Sequence, residues 1–320
     1  MNILIFGMGS LGFRHLQSLK KVYPLENFFY LDKKNSGILI KDFESSGRCS
    51  SNFFKDIKGF QFIKELPRVF YDLVIISTTA DVRGELLSNI SKELDFGNIV
   101  IEKPITNTTS DLANFDLFNS DKMFVNHHRI YQDLHRYISD INIEAQKIRY
   151  ESGNLGILCN FAHHVDFTRM LIGNEPKVTD VHCDFTKVFE SKRSGYFEVD
   201  GVLSVEFSNG CILELINRKE SAIGEDRVVE IYSDFGSYRL NETKGEIVGP
   251  DNKKKKVSIY NQSELTSRYF SDIQNGICQL PTLSQCLKDF RLILPIVESS
   301  VWRLLKDKEL NLENNYGYFS

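Results

Sequence analysis

The feature that most constrains the 320-residue sequence is Gly7-Met8-Gly9-Ser10-Leu11-Gly12, which follows an apolar run, Asn2 to Phe6, and opens an amphipathic stretch, Leu11 to Val22. A strand feeding a helix through glycines at this spacing has a physical reason for each one. The first permits the tight turn, the second removes a side chain where a pyrophosphate approaches, and the third lets helix and strand pack closely. The helix start, with Ser10 and Leu11, then offers free N–H groups to an anion. Asp32 stands 20 residues beyond Gly12, after a second expected strand, Asn27 to Leu31. A carboxylate there accepts both hydroxyls of an adenosine ribose and repels a 2′-phosphate. The reading is a Rossmann-type site for NAD, with NADP the less favoured cofactor, although Lys33 and Lys34 follow Asp32.

The first third continues the rhythm of a parallel sheet with crossover helices. Expected strands are Gln61 to Ile63, Leu73 to Ser77, Ile99 to Ile101 and Met123 to Asn126, with a helix over Arg83 to Leu94. From about residue 145 the pattern becomes alternating strands with turn signals, which points to a mostly antiparallel open sheet. The candidates are Gln146 to Glu151, Val178 to Phe189, Phe197 to Phe207, Cys211 to Asn217, Val228 to Ser233 and Ser237 to Leu240. Asn209-Gly210 is a hairpin signal because both residues tolerate positive φ. Helices are expected over Val165 to Leu171 and Ser284 to Lys306, and Lys253 to Lys256 reads as a solvated hairpin tip. The fold class is therefore an α/β Rossmann domain with a doubly wound parallel sheet, 1–126, followed by an α+β domain with a large open sheet, 127–320.

Composition narrows the partners. A net charge of −4 gives no general attraction to nucleic acid or to an anionic membrane. No run approaches the roughly 18 apolar residues of a membrane helix, and no basic, apolar leader precedes the first strand. The expectation is a cytoplasmic protein with small-molecule partners. The six cysteines, Cys49, Cys159, Cys183, Cys211, Cys278 and Cys286, are scattered without zinc-like spacing and read as reduced thiols. His127, His128 and His135 invite a metal reading, but no carboxylate or cysteine accompanies them at ligand-like spacing, and no metal is expected.

Glu102-Lys103-Pro104 closes the fifth expected strand. With the glycine motif, Ser77-Thr78-Thr79-Ala80, the segment Asn160-Phe161-Ala162-His163-His164-Val165-Asp166, Gly173, the stretch Ile273-Gln274-Asn275-Gly276 through Pro281, and Ser299-Ser300, it makes the chain resemble the Gfo/Idh/MocA oxidoreductases over nearly its whole length. The resemblance implies a Rossmann domain joined to an open-sheet domain. It also implies hydride transfer between nicotinamide and a carbon of a sugar, nucleotide sugar or related polyol, and a homodimer or homotetramer formed through the open sheet. Cofactor contacts are then expected from Gly7, Gly9, Ser10, Leu11, Gly12, Asp32, Ser77, Thr78, Thr79, Glu102 and Lys103.

The same resemblance makes Lys103 the active-site lysine, whose ammonium stabilises developing alkoxide charge, and His163 the group that exchanges the substrate proton. His164 competes for that place, and counting back from Asp166 and from Gly173 selects His163. Either histidine alone also reads as a helix residue facing the core. Substrate contacts are expected from Lys103, Asn126, Arg129, Asn160, His163 and His164, with a structural hinge the competing role for Asn126 and Arg129. Three departures stand out. Asn160 occupies a place where many relatives have aspartate, and an amide cannot share a proton or support an imidazolium. Arg83 replaces a histidine and reads either as an anion contact or as an exposed helix residue. Gly153-Asn154-Leu155-Gly156 is a short loop where relatives have a longer one. The leading expectation is an NAD-dependent sugar dehydrogenase or reductase, and the rival is a cofactor-binding regulatory or scaffold protein without turnover.

Overall fold

Short apolar runs that lack alternation form strands buried on both faces, and the first third folds in that way. In the computed structural model, which describes residues 1–306 apart from 35–38, 40–44, 48–50, 119–120, 142, 174–175, 192–195, 219–223 and 225, the chain forms two compact units. The first comprises Met1–Thr106, Ala113–Asn126 and Asn261–Ser284, and the second comprises Asn107–Leu112, His127–Tyr260 and the chain from Gln285 onward. Cys49 lies outside the described residues.

The first unit is built on a six-stranded parallel sheet of β1 (Asn2–Phe6), β2 (Asn27–Leu31), β3 (Ile57–Phe60), β4 (Tyr71–Ile76), β5 (Phe96–Ile101) and β6 (Met123–Val125), in the order β3-β2-β1-β4-β5-β6. Ile3 to Phe6 and Leu73 to Ile76 are fully buried, as central strands covered on both faces must be. Helix α1 (Ser10–Val22) buries Phe13, Leu16 and Leu19, and the Phe13 ring packs on Phe53 and Phe54. Helix α2 (Arg83–Glu93) connects β4 to β5. The third strand falls earlier than the sequence pattern indicates. Ile57–Phe60 pairs with β2, whereas Ile63–Glu65 forms a 3₁₀ turn in which Glu65 accepts from the Gln61 and Phe62 N–H groups.

The second unit carries an eight-stranded sheet of β7 (Ala145–Ser152), β8 (Val178–Glu190), β9 (Phe197–Phe207), β10 (Ile212–Asn217), β11 (Val228–Ser233), β12 (Gly236–Asn241), β13 (Glu246–Val248) and β14 (Lys254–Lys256), in the order β14-β13-β12-β11-β7-β10-β9-β8. Only the β7–β10 pair is parallel. Its flanking helices are α3 (Asp133–Asp140) and α4 (Ile157–Ile172), with α4 packed on β7, β9 and β10. The opposite face is polar, with Lys147 on Glu214 at 2.9 Å and Arg149 on Glu151 at 2.8 Å. Lys254 to Lys256 form an exposed edge strand, not a hairpin tip, and Lys254 meets Glu246 at 2.7 Å. Lysines on an edge strand discourage further pairing.

Two further helices follow among the described residues. Helix α5 (Gln262–Gln274), which the pattern of apolar residues did not reveal, starts at a capping box of Asn261 and Glu264 and packs on α1 through Ser18 and Ser267. Helix α6 (Leu283–Lys306) follows. Among the described residues, no helix is long and apolar enough to cross a membrane.

Candidate functional site

The parallel register places five of the sequence candidates in one row. Phe6 pairs with Leu31 and with Ile76, Ile76 with Ile101, and Ile101 with Val125. The next residue of each strand is therefore Gly7, Asp32, Ser77, Glu102 or Asn126. All five stand at the carboxyl edge of the sheet, where open α/β folds bind ligands.

Two of the three glycines are fixed by the protein itself. Gly7 has φ +81°, and a Cβ there would lie 2.9 Å from the Thr78 nitrogen. A Cβ on Gly12 would lie 2.0 Å from the Gly7 carbonyl oxygen and 2.7 Å from Ser77 Oγ. Gly9 differs, because a Cβ there would meet nothing within 4 Å. The protein packing does not require a glycine at this position, whereas a phosphate approaching the backbone does. Gly9 is also the N-cap of α1 and supplies no side-chain cap, so the N–H groups of the first turn keep capacity for an anion.

Asp32 Oδ2 accepts from the Met8 N–H at 2.6 Å and Oδ1 from the Lys34 N–H at 2.8 Å. Each oxygen has a second lone pair for a ribose hydroxyl, and the first bond ties the carboxylate to the glycine loop. The Ser77 hydroxyl is spent within the fold, against the carbonyl oxygens of Phe6 and Gly7 at 2.9 and 2.7 Å. Thr78 Oγ1 is buried without a partner among the described residues, and Thr79 is exposed. A loop shaped by backbone, an open approach at Gly9, a tethered carboxylate and an orphaned hydroxyl fit a dinucleotide.

Glu102 is 1% exposed. Its Oε1 accepts from His15 Nε2 at 2.8 Å and from the Asn126 amide. His15 Nδ1 meets Thr266 Oγ1 at 2.8 Å. No spacing in the sequence marks His15 or Thr266, because only folding brings α1 and α5 to this strand end. Arg83 is buried, and its guanidinium donates to the carbonyl oxygens of Thr78, Glu102 and Pro104. It is not an exposed helix residue, and it clamps the backbone around Lys103. The Lys103–Pro104 peptide is cis, and Lys103 is half-buried.

In the second unit, α4 starts eight residues before the expected Val165, so His163 and His164 lie inside the helix. The reason is at its N-terminus. Gly156 adopts the left-handed region at φ +65°, and Glu198 accepts from the N–H groups of Leu158 and Cys159 at 3.0 Å each. A buried carboxylate from β9 thus does the work of a cap and complements the helix dipole. Asn160 donates its amide to the Leu155 carbonyl oxygen at 2.7 Å, which closes the Gly153–Gly156 loop onto the helix.

His163 is 2% exposed, with its ring 5.2 Å from that of His127 and 5.1 Å from that of His128. His164 is fully buried, 4.0 Å from the Tyr150 ring, and neither of its nitrogens has a partner among the described residues. Burial, then the Arg129 guanidinium, hold its pKa well below 6.5, so His164 is a neutral core imidazole near neutrality.

Arg129 is paired inside the unit with Glu242 at 2.7 Å. His135 Nδ1 lies 2.5 Å from the Arg129 carbonyl oxygen and its Nε2 lies 2.9 Å from Glu242 Oε1. Burial raises the Glu242 carboxyl, but Arg129 and the His135 hydrogen bond outweigh it and hold the group well below the usual carboxylate range. Asp166 Oδ2 lies against His127 Nδ1, with both side chains buried.

The sequence matches no protein-family model and no curated protein. Solved structures match over almost the whole chain. An Agrobacterium radiobacter oxidoreductase, solved with NAD+, L-tartaric acid and magnesium, has a TM-score of 0.69 at 15% identity, covering 96% of this chain and 97% of that one. The UDP-N-acetylglucosamine 3-dehydrogenase of Acidithiobacillus ferrooxidans has 0.68 at 13%, covering 94% and 97%. Levoglucosan dehydrogenase, solved with NADH, has 0.68 at 14%, covering 95% and 97%. The fold is that of the Gfo/Idh/MocA dehydrogenases. At these identities the likeness is one of fold, and the chemistry rests on the residues described above.

Proposed function

We propose that this chain is an NAD-dependent oxidoreductase that acts on a secondary alcohol or ketone carbon of a sugar or nucleotide sugar. The observation that carries the reading is the open approach at Gly9 beside the tethered carboxylate of Asp32. Similar folds solved with NAD+ or NADH support it. NAD, when bound, supplies the hydride acceptor or donor. Gly7, Gly9, Ser10, Leu11 and Gly12 hold the pyrophosphate, Asp32 holds the ribose, and Thr78, Thr79 and Glu102 border the nicotinamide end.

Lys103 is the cationic group, and its ammonium stabilises charge on the substrate oxygen. His163 takes or returns the hydroxyl proton, a task suited to an imidazole. Asn126 and Arg129 act through their partners. Asn126 positions Glu102, and Arg129 holds the Glu242 and His135 network beside His164. Self-association through the open sheet belongs to the same proposal and is read by sedimentation.

The test is NADH titration by fluorescence, followed by a screen of sugars and nucleotide sugars for absorbance change. Turnover that Lys103→Ala and His163→Ala each abolish, with NADH binding kept in His163→Ala, supports the assignment. One observation favours a second reading, an NAD-binding protein without turnover: the Asn160 amide is committed to Leu155 and offers no carboxylate. That reading expects tight NADH binding and no turnover with any substrate in the screen. No NADH binding by the folded protein overturns both.

A further inference from the structure

His127, Asp166 and Cys286 are far apart in sequence and meet at one atom. Asp166 Oδ2 pairs with His127 Nδ1, and Cys286 Sγ lies 3.9 Å from that same nitrogen. A ring nitrogen has one proton or one lone pair, so Nδ1 cannot serve both neighbours. A relay that activates a thiol uses opposite nitrogens of the imidazole, one toward the nucleophile and one toward the carboxylate. Here both approach one nitrogen, so the arrangement is not built to activate Cys286.

Three donor atoms that face a common point surround a small cation naturally. The Nδ1, carboxylate oxygen and Sγ atoms all lie within 4.8 Å of one another, and the three residues are buried. Zinc bonds of about 2.0–2.3 Å place tetrahedral donors roughly 3.5 Å apart, so small side-chain shifts suffice. We propose that His127, Asp166 and Cys286 form a zinc-binding site in the second unit.

The donor set favours zinc over the hard cations, since magnesium and calcium take oxygen ligands whereas thiolate and imidazole suit zinc. The surroundings supply what such a site needs. Arg169 holds Asp289 through two bonds of 2.7 and 2.6 Å and lies 3.6 Å from Asp166 Oδ1. It therefore orients the carboxylate's other oxygen and occupies the second acid. With zinc bound and the Cys286 proton released to solvent, the charges of Asp166, Asp289, the thiolate, Arg169 and the ion cancel. The cleft that these side chains line is walled by Phe161 and Phe290, and apolar walls limit water access to a metal. His135 takes no part, because Glu242 and the Arg129 carbonyl oxygen occupy both its nitrogens. The site does not depend on the oxidoreductase reading.

Cobalt(II) reports thiolate ligation directly, so the full-length protein is stripped with a chelator and titrated with Co²⁺, then Zn²⁺. One equivalent of Co²⁺ is expected to give visible tetrahedral bands and a near-ultraviolet thiolate-to-cobalt band, both removed by Zn²⁺. Cys286→Ser should lose the charge-transfer band while Cys183→Ser keeps it. His127→Gln should weaken Zn²⁺ binding by at least about tenfold, with each variant's fold checked by circular dichroism. A folded wild-type protein without the thiolate band in excess Co²⁺ overturns the site, as does a Cys286→Ser protein that retains it. The wild-type spectrum decides the matter even if a variant fails to fold.

Discussion

In the first unit the candidate site is made mainly of backbone. Gly7 and Gly12 are fixed by carbonyl and amide groups a few ångströms away, and the Ser77 hydroxyl ties two strand ends together. In the second unit the functional candidates are side chains in a buried charged neighbourhood, with Arg129, His135 and Glu242 around the neutral His164. A backbone cradle fails through overlap, whereas a charged cluster fails through loss of a partner. The difference makes their responses to substitution and to pH separable.

The largest expected effect is in the charged cluster. Glu242→Gln leaves Arg129 and His135 facing a neutral amide, and losing one member of a buried pair costs about 3–5 kcal/mol, read by denaturant unfolding. The same cluster sets an acid limit. His164 is held below its ordinary value of 6.5 in the folded state, so the unfolded chain takes up that proton first. Its contribution is present above pH 6.5 and is lost as pH falls through the window below it. The Glu242 pKa is depressed from 4.5, so its contribution is present above that pH and is lost only in stronger acid. His164→Leu should flatten the first part of this slope and leave the second. A stability that is level between pH 7 and 5 in the parent protein would break the assignment.

Next in size is the backbone cradle. Gly12→Ala forces a methyl group against the Gly7 carbonyl oxygen at 2.0 Å, and neither backbone segment can yield cheaply. A loss of about 3 kcal/mol is expected from overpacking of this severity, measured as a lowered unfolding midpoint without ligand.

A smaller effect separates the two roles available to Asn160. Its amide donates to the Leu155 carbonyl oxygen, and the Glu198 carboxylate sits at the same helix start. Asn160→Asp exchanges a donor for a second anion, so it should cost about 1–3 kcal/mol without raising turnover. An aspartate that leaves stability unchanged and speeds NADH oxidation would show that the position is catalytic.

The contrast also governs what the sequence reveals. The cradle is legible because its geometry is local: strand, three glycines and acid lie within Asn2 to Asp32, and each residue type follows from one backbone requirement. The two-sheet architecture is legible for a similar reason, since burial on both faces and alternation leave different apolar patterns. The charged cluster is not legible. Glu242 reaches Arg129 across 113 positions, and Cys286 reaches His127 across 159, so no spacing records either pairing. The local pattern marks helix α4 as shorter than it is because its cap is Glu198, 40 residues beyond Leu158. Beside Ile157 the sequence offers Gly156, which has no side chain to cap the helix. Arg83 shows the same limit at short range, because its burial depends on three carbonyl oxygens that turn toward it only in the fold.

The smallest expected change in stability belongs to Gly9→Ala, and it tests the cradle most directly. A Cβ there meets no protein atom within 4 Å, and the residue has φ −71°, open to any amino acid. Replacing glycine by alanine at such a helix start should cost only roughly 0.5–1 kcal/mol, about the difference between the two as N-caps. The methyl group nevertheless occupies the approach proposed for the pyrophosphate. NADH affinity should fall by about tenfold or more, the equivalent of roughly 1.4 kcal/mol of steric cost. Gly12→Ala lowers stability before any ligand is added, so the two neighbouring glycines should divide cleanly between binding and folding. If Gly9→Ala binds NADH as the parent does, the open space at Gly9 is not the dinucleotide approach, and the NAD assignment loses the observation that carries it.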